Sequence, residues 1–402
     1  MRRKGLRVAL LIAAGALAGA APASATKLVT LTTTSRYVDP TKVAFNKPPG
    51  TANRPPALRV NVLLPDGYDG KRRFPVLYLL HGHGDAYDSW MNPQQGDVAH
   101  VAKGLAAIIV MPEGDKGWYT NWWSGGSRSP GWESYHLEEL VPLIERRFRV
   151  RPGRRWHAIA GLSMGGEGAI YYAEERPGYF GSAASFSGVL SIQRPEWPFG
   201  FDTQGEHHVD VYGDPDAQRF YWTGHNPTAL ADNLRYTRVF VAVGDGTPAP
   251  GDPISLTAEA GEAELRQQAQ DFVGAAQQFG VNLTYHPHQG IHEWNYWRKY
   301  LGEALLWGFF KSVPANPREW KFDTVQTRAR AWGFGFAFKK PPATVESFQA
   351  SGRRLDGAGS GKVRVRGPGG VTFTRNLPFS VIVPSHKHKP RHKHRHKKHD
   401  SD

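Results

Sequence analysis

The sequence predicts a doubly wound, mostly parallel α/β sheet with a small C-terminal all-β module and a disordered basic tail. Three observations predict it. Short apolar runs, PVLYLL at 75–80 and AAIIVM at 106–111, read as strands buried on both faces, as in a parallel sheet. Strand-like and helix-like stretches alternate from about residue 57 to residue 310. After about residue 319 the pattern changes to short alternating segments with Gly/Pro turns.

The 402 residues suffice for one large α/β body plus an addition. Residues 1–25 read as a secretory leader. Arg2, Arg3, Lys4 and Arg7 form the basic start, residues 8–21 are apolar and small, and Ala23-Ser24-Ala25 fits a cleavage site. That run is too short to span a bilayer. The expected location is therefore secreted, extracellular or associated with the cell wall. The chain has no cysteine, which excludes disulfides and thiolate chemistry. The formal charge of +14 gathers at the ends. The leader holds four basic residues, and the tail 386–402 holds seven Lys or Arg against two Asp, leaving +5 for the rest. Nucleic acid is not an expected partner.

Residues 26–56, rich in Thr, Pro and Lys, read as an irregular lead-in. The body is expected over 57–315. Leu58, Val60, Val62 and Leu64 alternate with other positions, as in a half-buried strand. Residues 118–132 form a Trp/Gly/Ser loop, in which Trp118, Trp122, Trp123 and Trp132 either line a sugar or acyl site or simply pack. Residues 135–148 read as a helix whose first turns Pro142 disturbs. Residues 193–223 read as an insertion over the site. Strands follow at 182–186, 238–243 and 282–285, and helices at 258–279 and 294–310. The β module is expected over 316–384, with Trp332 or nearby Phe residues available for carbohydrate binding. The tail 385–402, His alternating with Lys or Arg, cannot bury a core and is expected to be an extended arm. Anionic cell-wall polymers are its candidate partner.

One stretch organises the body. Residues 156–160 are strand-like, Gly161-Leu162-Ser163-Met164-Gly165 turns sharply, and small residues then enter a helix. This G-x-S-x-G pattern places Ser163 at the apex as a candidate nucleophile. A base should follow later in the chain. His292, in Gly290-Ile291-His292-Glu293-Trp294, sits between the last strand and the last helix; His286 and His288 are rivals on the strand end. The acid is open: Asp245 follows a strand directly, while Glu259, Glu262 and Glu264 lie in the next helix. Pattern alone favours Asp245. The oxyanion-stabilising N–H groups are expected from Met164 and from His83 in His81-Gly82-His83-Gly84. Two histidines there without a carboxylate cluster do not make a metal site. Neither metal nor cofactor is expected.

Five motifs together resemble an esterase family that includes esterase D, feruloyl-esterase-like enzymes and the antigen 85 mycolyltransferases. They are LYLLHGHGDAYDSW at 77–90, IAGLSMGGEGA at 159–169, HNPTAL at 225–230, GDGTP at 244–248 and GIHEWNYW at 290–297. The resemblance implies an α/β-hydrolase fold, Ser163 as nucleophile and His292 as base. It moves the acid to Glu262, because Asp245 falls where the family has a non-catalytic Asn. It implies ester or acyl-sugar substrates and acyl transfer to water or a sugar hydroxyl. The family's aspartate after the leucine pair is His81 here, and the β module and tail have no counterpart. A non-catalytic cell-wall-binding or adhesion protein on the same body is the alternative.

Overall fold

The computed structural model describes residues 27–42, 56–124 and 130–384. The leader and the tail lie outside the described residues. Eight strands form the central sheet: β1 (Lys27–Thr33), β2 (Leu58–Leu64), β3 (Val76–Leu80), β4 (Ile108–Pro112), β5 (His157–Leu162), β6 (Ser182–Phe186), β7 (Arg238–Val243) and β8 (Asn282–Pro287). Their order is β1-β2-β4-β3-β5-β6-β7-β8. The β1–β2 and β2–β4 pairs are antiparallel and all others parallel. Parallel neighbours require crossovers. Three of the helices matter for the site: α1 (Met164–Glu175), α2 (Leu256–Gln278) and α3 (Trp294–Trp307). Successive side chains of a strand enter opposite apolar layers. Val76, Tyr78 and Leu80 join one and Leu77 and Leu79 the other, which is why β3 reads as an unbroken apolar run. Among the described residues no helix is long and apolar enough to cross a membrane.

Three expectations need correction. The lead-in is not wholly irregular: it holds β1, paired with β2 from Lys27↔Leu64 to Thr33↔Leu58. Its Thr-rich composition hid an ordinary edge strand, since Thr favours extended backbone as Val does. With β1 outside it, β2 is an interior strand, and Asn61 and Leu63 are buried too. The helix expected over 135–148 forms three successive pieces. A π turn at Tyr135–Leu140 separates α-helical Trp132–Ser134 from Val141–Arg147. Pro142 offers no N–H to the preceding turn, so that turn widens.

The C-terminal module is a pair of four-stranded antiparallel sheets. One has the order β10-β11-β14-β15 and the other β16-β13-β12-β9. The strands are β9 (Glu319–Thr324), β10 (Arg328–Ala331), β11 (Phe334–Phe338), β12 (Glu346–Ser351), β13 (Arg354–Ala358), β14 (Lys362–Arg366), β15 (Thr372–Asn376) and β16 (Phe379–Ile382). Between the sheets Phe336 stacks on Phe348 at 3.9 Å and 21°. The module is docked firmly on the body. Asn233 and Asp323 exchange two hydrogen bonds, Asn233 Nδ2 to Asp323 O at 2.8 Å and Asp323 N to Asn233 Oδ1 at 2.9 Å. Thr324 Oγ1 donates to Glu175 Oε2 at 3.1 Å, and Gln326 Nε2 to the Tyr171 hydroxyl at 2.8 Å. Trp332, expected to be free for sugar binding, is only 7% exposed. Its ring lies under the Arg154 guanidinium at 4.7 Å and edge-on to Tyr236.

Glu174 lies at this junction, fully buried, and neither carboxyl oxygen has a hydrogen-bond partner among the described residues. Burial, with the Glu175 charge adding to it, pushes its pKa well above the ordinary glutamate range. The folded protein thus holds this proton more tightly than the unfolded chain. Stability from this residue is full below the unfolded pKa of about 4.3 and is lost as pH rises above it. Glu174→Gln keeps the shape and removes the ionisation. It should melt higher than wild type at pH 8, by a margin that shrinks at pH 5. Thermal denaturation at both pH values checks this; a margin that fails to grow with pH contradicts it.

Candidate active site

Ser163 stands between β5 and α1 with φ 51° and ψ −123°, a conformation most residues avoid. Its N–H donates to Phe186 O at 2.9 Å, and its carbonyl accepts from Gly166 N at 2.8 Å and Glu167 N at 3.1 Å. The strained turn is therefore held from both sides. A side chain at Gly165 could not be accommodated: its Cβ would lie 2.4 Å from the His81 carbonyl oxygen. The close approach lets α1 begin directly over the ends of β3 and β5.

The structure brings Ser163, His292 and Glu262 together. His292 Nε2 lies 2.9 Å from Ser163 Oγ, and His292 Nδ1 lies 2.7 Å from Glu262 Oε2. Glu262 accepts on this edge, so Nδ1 carries the proton and Nε2 is left to accept from the serine hydroxyl. Glu262 is fully buried on α2. Its other oxygen, Oε1, accepts from Ser187 Oγ and from Gly244 N, each at 2.6 Å. Trp297 Nε1 donates to Ser187 Oγ at 3.2 Å, and the Trp297 ring meets the His292 ring edge-on at 4.8 Å. The His292 backbone is tied to α2 by its N–H to Ala258 O at 3.2 Å. A Cβ at Gly244 would meet Gly290 O at 2.3 Å and Glu262 Cγ at 2.9 Å, so only glycine leaves the carboxylate its place.

Asp245 is elsewhere. Its Oδ1 accepts from Thr247 N at 2.8 Å and Gly290 N at 3.3 Å, closing the turn that carries His292. These N–H donors hold its pKa below the ordinary aspartate value, although burial alone would raise it. His286 Nδ1 and His288 Nε2 both lie 3.0 Å from one oxygen of Glu303 on α3, away from Ser163. These three are the only group of three potential metal ligands found among the described residues.

The loop after β3 passes beside Ser163: a Cβ at Gly82 would stand 3.5 Å from Ser163 Cβ and 2.6 Å from Leu162 Cδ1. Met164 N–H, at the first position of α1, meets no acceptor among the described residues. The imidazole of His83, by contrast, bonds through Nε2 to Glu206. Glu206 also accepts from Trp118 Nε1 at 3.5 Å, so the segment expected as an insertion does reach this loop. That segment is helical at Trp197–Gln204, His208–Val211 and Arg219–Thr223. His81 and His83 diverge. His81 Nε2 accepts from Gly114 N at 2.9 Å, and its Nδ1 lies 2.8 Å from Gly82 O. Trp118 and Trp132 are buried and serve packing, whereas Trp123 is 40% exposed. Sequence reasoning missed Ser187, Trp297 and Glu206. Of these, only Trp297 lay in a quoted motif, GIHEWNYW.

Known proteins resemble the chain over its α/β body. The family model "Esterase: Putative esterase" matches residues 53–307. Esterase Rv1288 of Mycobacterium tuberculosis is 36% identical over 224 residues, which cover 52% of this chain and 48% of that protein. The chain thus spans about half the length of this relative. The MPT51/MPB51 antigen of Mycobacterium bovis is 27% identical over 267 residues, covering 60% of this chain and 84% of the antigen. The crystal structure of M. tuberculosis MPT51 superposes with a TM-score of 0.53 at 25% identity, over 64% of this chain and 95% of that one. A fluorophosphonate-binding serine hydrolase of Staphylococcus aureus gives 0.53 at 19% identity, over 71% and 99%, and shares the fold. The fold is that of the α/β-hydrolases, and the chain belongs to the esterase family.

Proposed function

We propose that the protein cleaves or transfers ester-linked acyl groups through an acyl-enzyme on Ser163. The observation that carries this is the continuous hydrogen-bonded chain Glu262–His292–Ser163 at 2.7 and 2.9 Å, on a family-matched body. In this reading His292 Nε2 takes the hydroxyl proton as Ser163 Oγ attacks the ester carbonyl. The oxyanion is held by the N–H of Met164 and the N–H of His83. Collapse breaks the bond to the alcohol, which leaves with the proton from His292. Water or an alcohol such as a sugar hydroxyl then gives its proton to His292 and attacks the acyl carbon; the bond to Ser163 Oγ breaks as that oxygen takes the proton back from His292. Glu262 holds the imidazole orientation and offsets its charge when protonated. Ser187 and Gly244 hold Glu262. The substrate class is an ester or acyl-sugar. The leader at residues 1–25 supports action outside the cell, where the basic tail would meet anionic wall polymers. Whether water or an alcohol completes the cycle depends on what the covering segment at residues 193–223 admits.

Turnover of a chromogenic short-chain ester tests this directly. Ser163→Ala should lower kcat by at least about 10³-fold with an unchanged circular dichroism spectrum. A phosphonate probe should label Ser163 alone. Substantial residual activity in a folded variant would overturn the assignment.

Glu262→Gln should lower kcat by about 10²–10⁴-fold, because the amide can present an N–H to Nδ1 and disturb the tautomer. Asp245→Asn should cost far less. Kinetics of the two variants side by side decide between the acids; a larger loss in Asp245→Asn contradicts the reading.

Ser187→Ala removes one donor from a buried carboxylate. It should lower kcat by about tenfold, as loss of a hydrogen bond to a charged group predicts, with KM little changed. A change confined to KM, or none at all, would show that Ser187 does not position Glu262.

A further inference from the structure

The charge of residues 26–384 is divided unevenly. Residues 26–315 hold 27 Lys or Arg against 30 Asp or Glu, a net −3, whereas residues 316–384 hold 12 against 4, a net +8. A mildly acidic body thus carries a strongly basic module. Strand register shows where part of that charge goes. Across β10, β11 and β14, Arg330 pairs with Gly335 and Gly335 with Arg366; two residues along, Arg328 pairs with Ala337 and Ala337 with Arg364. Paired residues share a sheet face. The opposite face is the module's core, with Ala329, Ala331, Phe336, Phe338, Val363 and Val365 all buried. The outer face therefore presents two columns of exposed arginines, with only a glycine and an alanine between them. From general sheet spacings the columns stand about 10 Å apart, and the arginines within each about 7 Å.

None of these four guanidinium groups has a hydrogen bond or an ion pair among the described residues, and Arg330 adds to the positive field at Arg176. The face lines a groove of about 890 Å³ against Leu137, Val141, Pro142 and Tyr179 of the body. The two carboxylates on that wall are already engaged. Glu138 accepts from the Tyr37 hydroxyl at 2.9 Å and lies 3.9 Å from Arg176, and Glu145 accepts from the Tyr179 hydroxyl at 3.0 Å. Beyond β14, Arg366 and Arg364 pair with Thr372 and Thr374, and Lys362 with Asn376, adding neutral hydrogen-bonding groups beside the cations. No aromatic residue occupies the outer positions of these rows, and Tyr179 on the facing wall already stacks on His157, so the arginine face itself offers no row of rings on which successive nucleic-acid bases could stack.

We propose that this arginine-lined trough is a binding site for a linear anionic polysaccharide. Its carboxylate or phosphate groups meet the two arginine columns, and its hydroxyls meet Thr372, Thr374 and Asn376. The site is separate from Ser163 and does not depend on the catalytic reading.

The test is binding of the full chain to polygalacturonate, to inorganic polyphosphate and to neutral dextran. A twenty-residue thymidine oligonucleotide is the fourth probe, and each is measured at two salt concentrations. Wild type should bind polygalacturonate, more weakly at high salt because exposed charges are screened, and should not bind dextran. Binding of polyphosphate without polygalacturonate would mark a site for dense phosphate charge rather than for a polysaccharide and would overturn the proposal. The quadruple variant Arg328→Ser, Arg330→Ser, Arg364→Ser, Arg366→Ser should lose at least tenfold in affinity, with its melting temperature and short-ester turnover kept. The double variant Arg364→Ser, Arg366→Ser should show a smaller loss, and the four Arg→Lys changes should retain binding. Because the basic tail is present in every form, unchanged affinity in the quadruple variant would assign binding to the tail and overturn the proposal. Tighter binding of the oligonucleotide than of both other polyanions would overturn it as well.

Discussion

The carboxylate of Glu262 is the interaction on which the candidate site depends. It is buried completely, so its charge must be met by donors, and it has three: Ser187 Oγ, Gly244 N and His292 Nδ1. An isolated carboxylate in such surroundings would be costly; one accepting three hydrogen bonds is not. Each donor comes from a different place at one end of the sheet, just after β6, just after β7 and just after β8. The single side chain therefore fixes three loops relative to one another. The absence of a Cβ at Gly244 and the helical placement of Glu262 in α2 are both consequences of packing that carboxylate there. Moving the acid to Asp245, directly on the strand end, would leave α2 without this role. Here Asp245 closes the turn through Gly290 instead, one step back from the imidazole.

Much of this was legible because parallel strands and a strained elbow leave strong marks. PVLYLL and AAIIVM are apolar throughout since both faces of β3 and β4 meet core. Gly161, Ser163 and Gly165 stand at fixed spacing because the turn brings backbone within contact distance. His292 was readable from its place after the last strand. The carboxylate that meets His292 was not readable from pattern, because a glutamate in the second turn of a helix looks like any surface residue. Only the resemblance pointed to Glu262, and the 2.7 Å contact to His292 places it beside the imidazole.

What stayed illegible has physical reasons too. Ser187 has no motif of its own: its place against Glu262 and Trp297 comes from a positive φ of 49° and from neighbours 75 and 110 residues away in sequence. The edge strand β1 was hidden by threonines, which suit turns and strands alike. Trp332 looked available because aromatic residues in a small β module suggest a binding surface. Its ring is covered by Arg154, which belongs to the body, lies far away in sequence and meets Trp332 only where the module docks. The basic trough was invisible because adjacency across a sheet is set by register, and arginines at 328, 330, 364 and 366 become one surface only once β11 is placed between β10 and β14.

One helix joins the two halves of the molecule. α1 starts at the strained Ser163, where Gly165 lets it press against the carbonyl of His81, and it runs straight to Glu174 and Glu175 at the module interface. Every residue of α1 is buried, so the helix is held along its whole length by packing rather than by its own propensity, which Gly165, Gly166 and Gly168 near the start weaken. At its far end the module contributes Thr324 to Glu175 and Gln326 to Tyr171, and Asn233, which donates to Glu174 O at 3.3 Å, is itself paired to Asp323. The module thus closes over buried carboxyl groups that would otherwise meet solvent, and in doing so completes the seat of the helix that aims Ser163. Its contribution to the site is mechanical and passes through α1, while its outer sheet face remains free for a separate role.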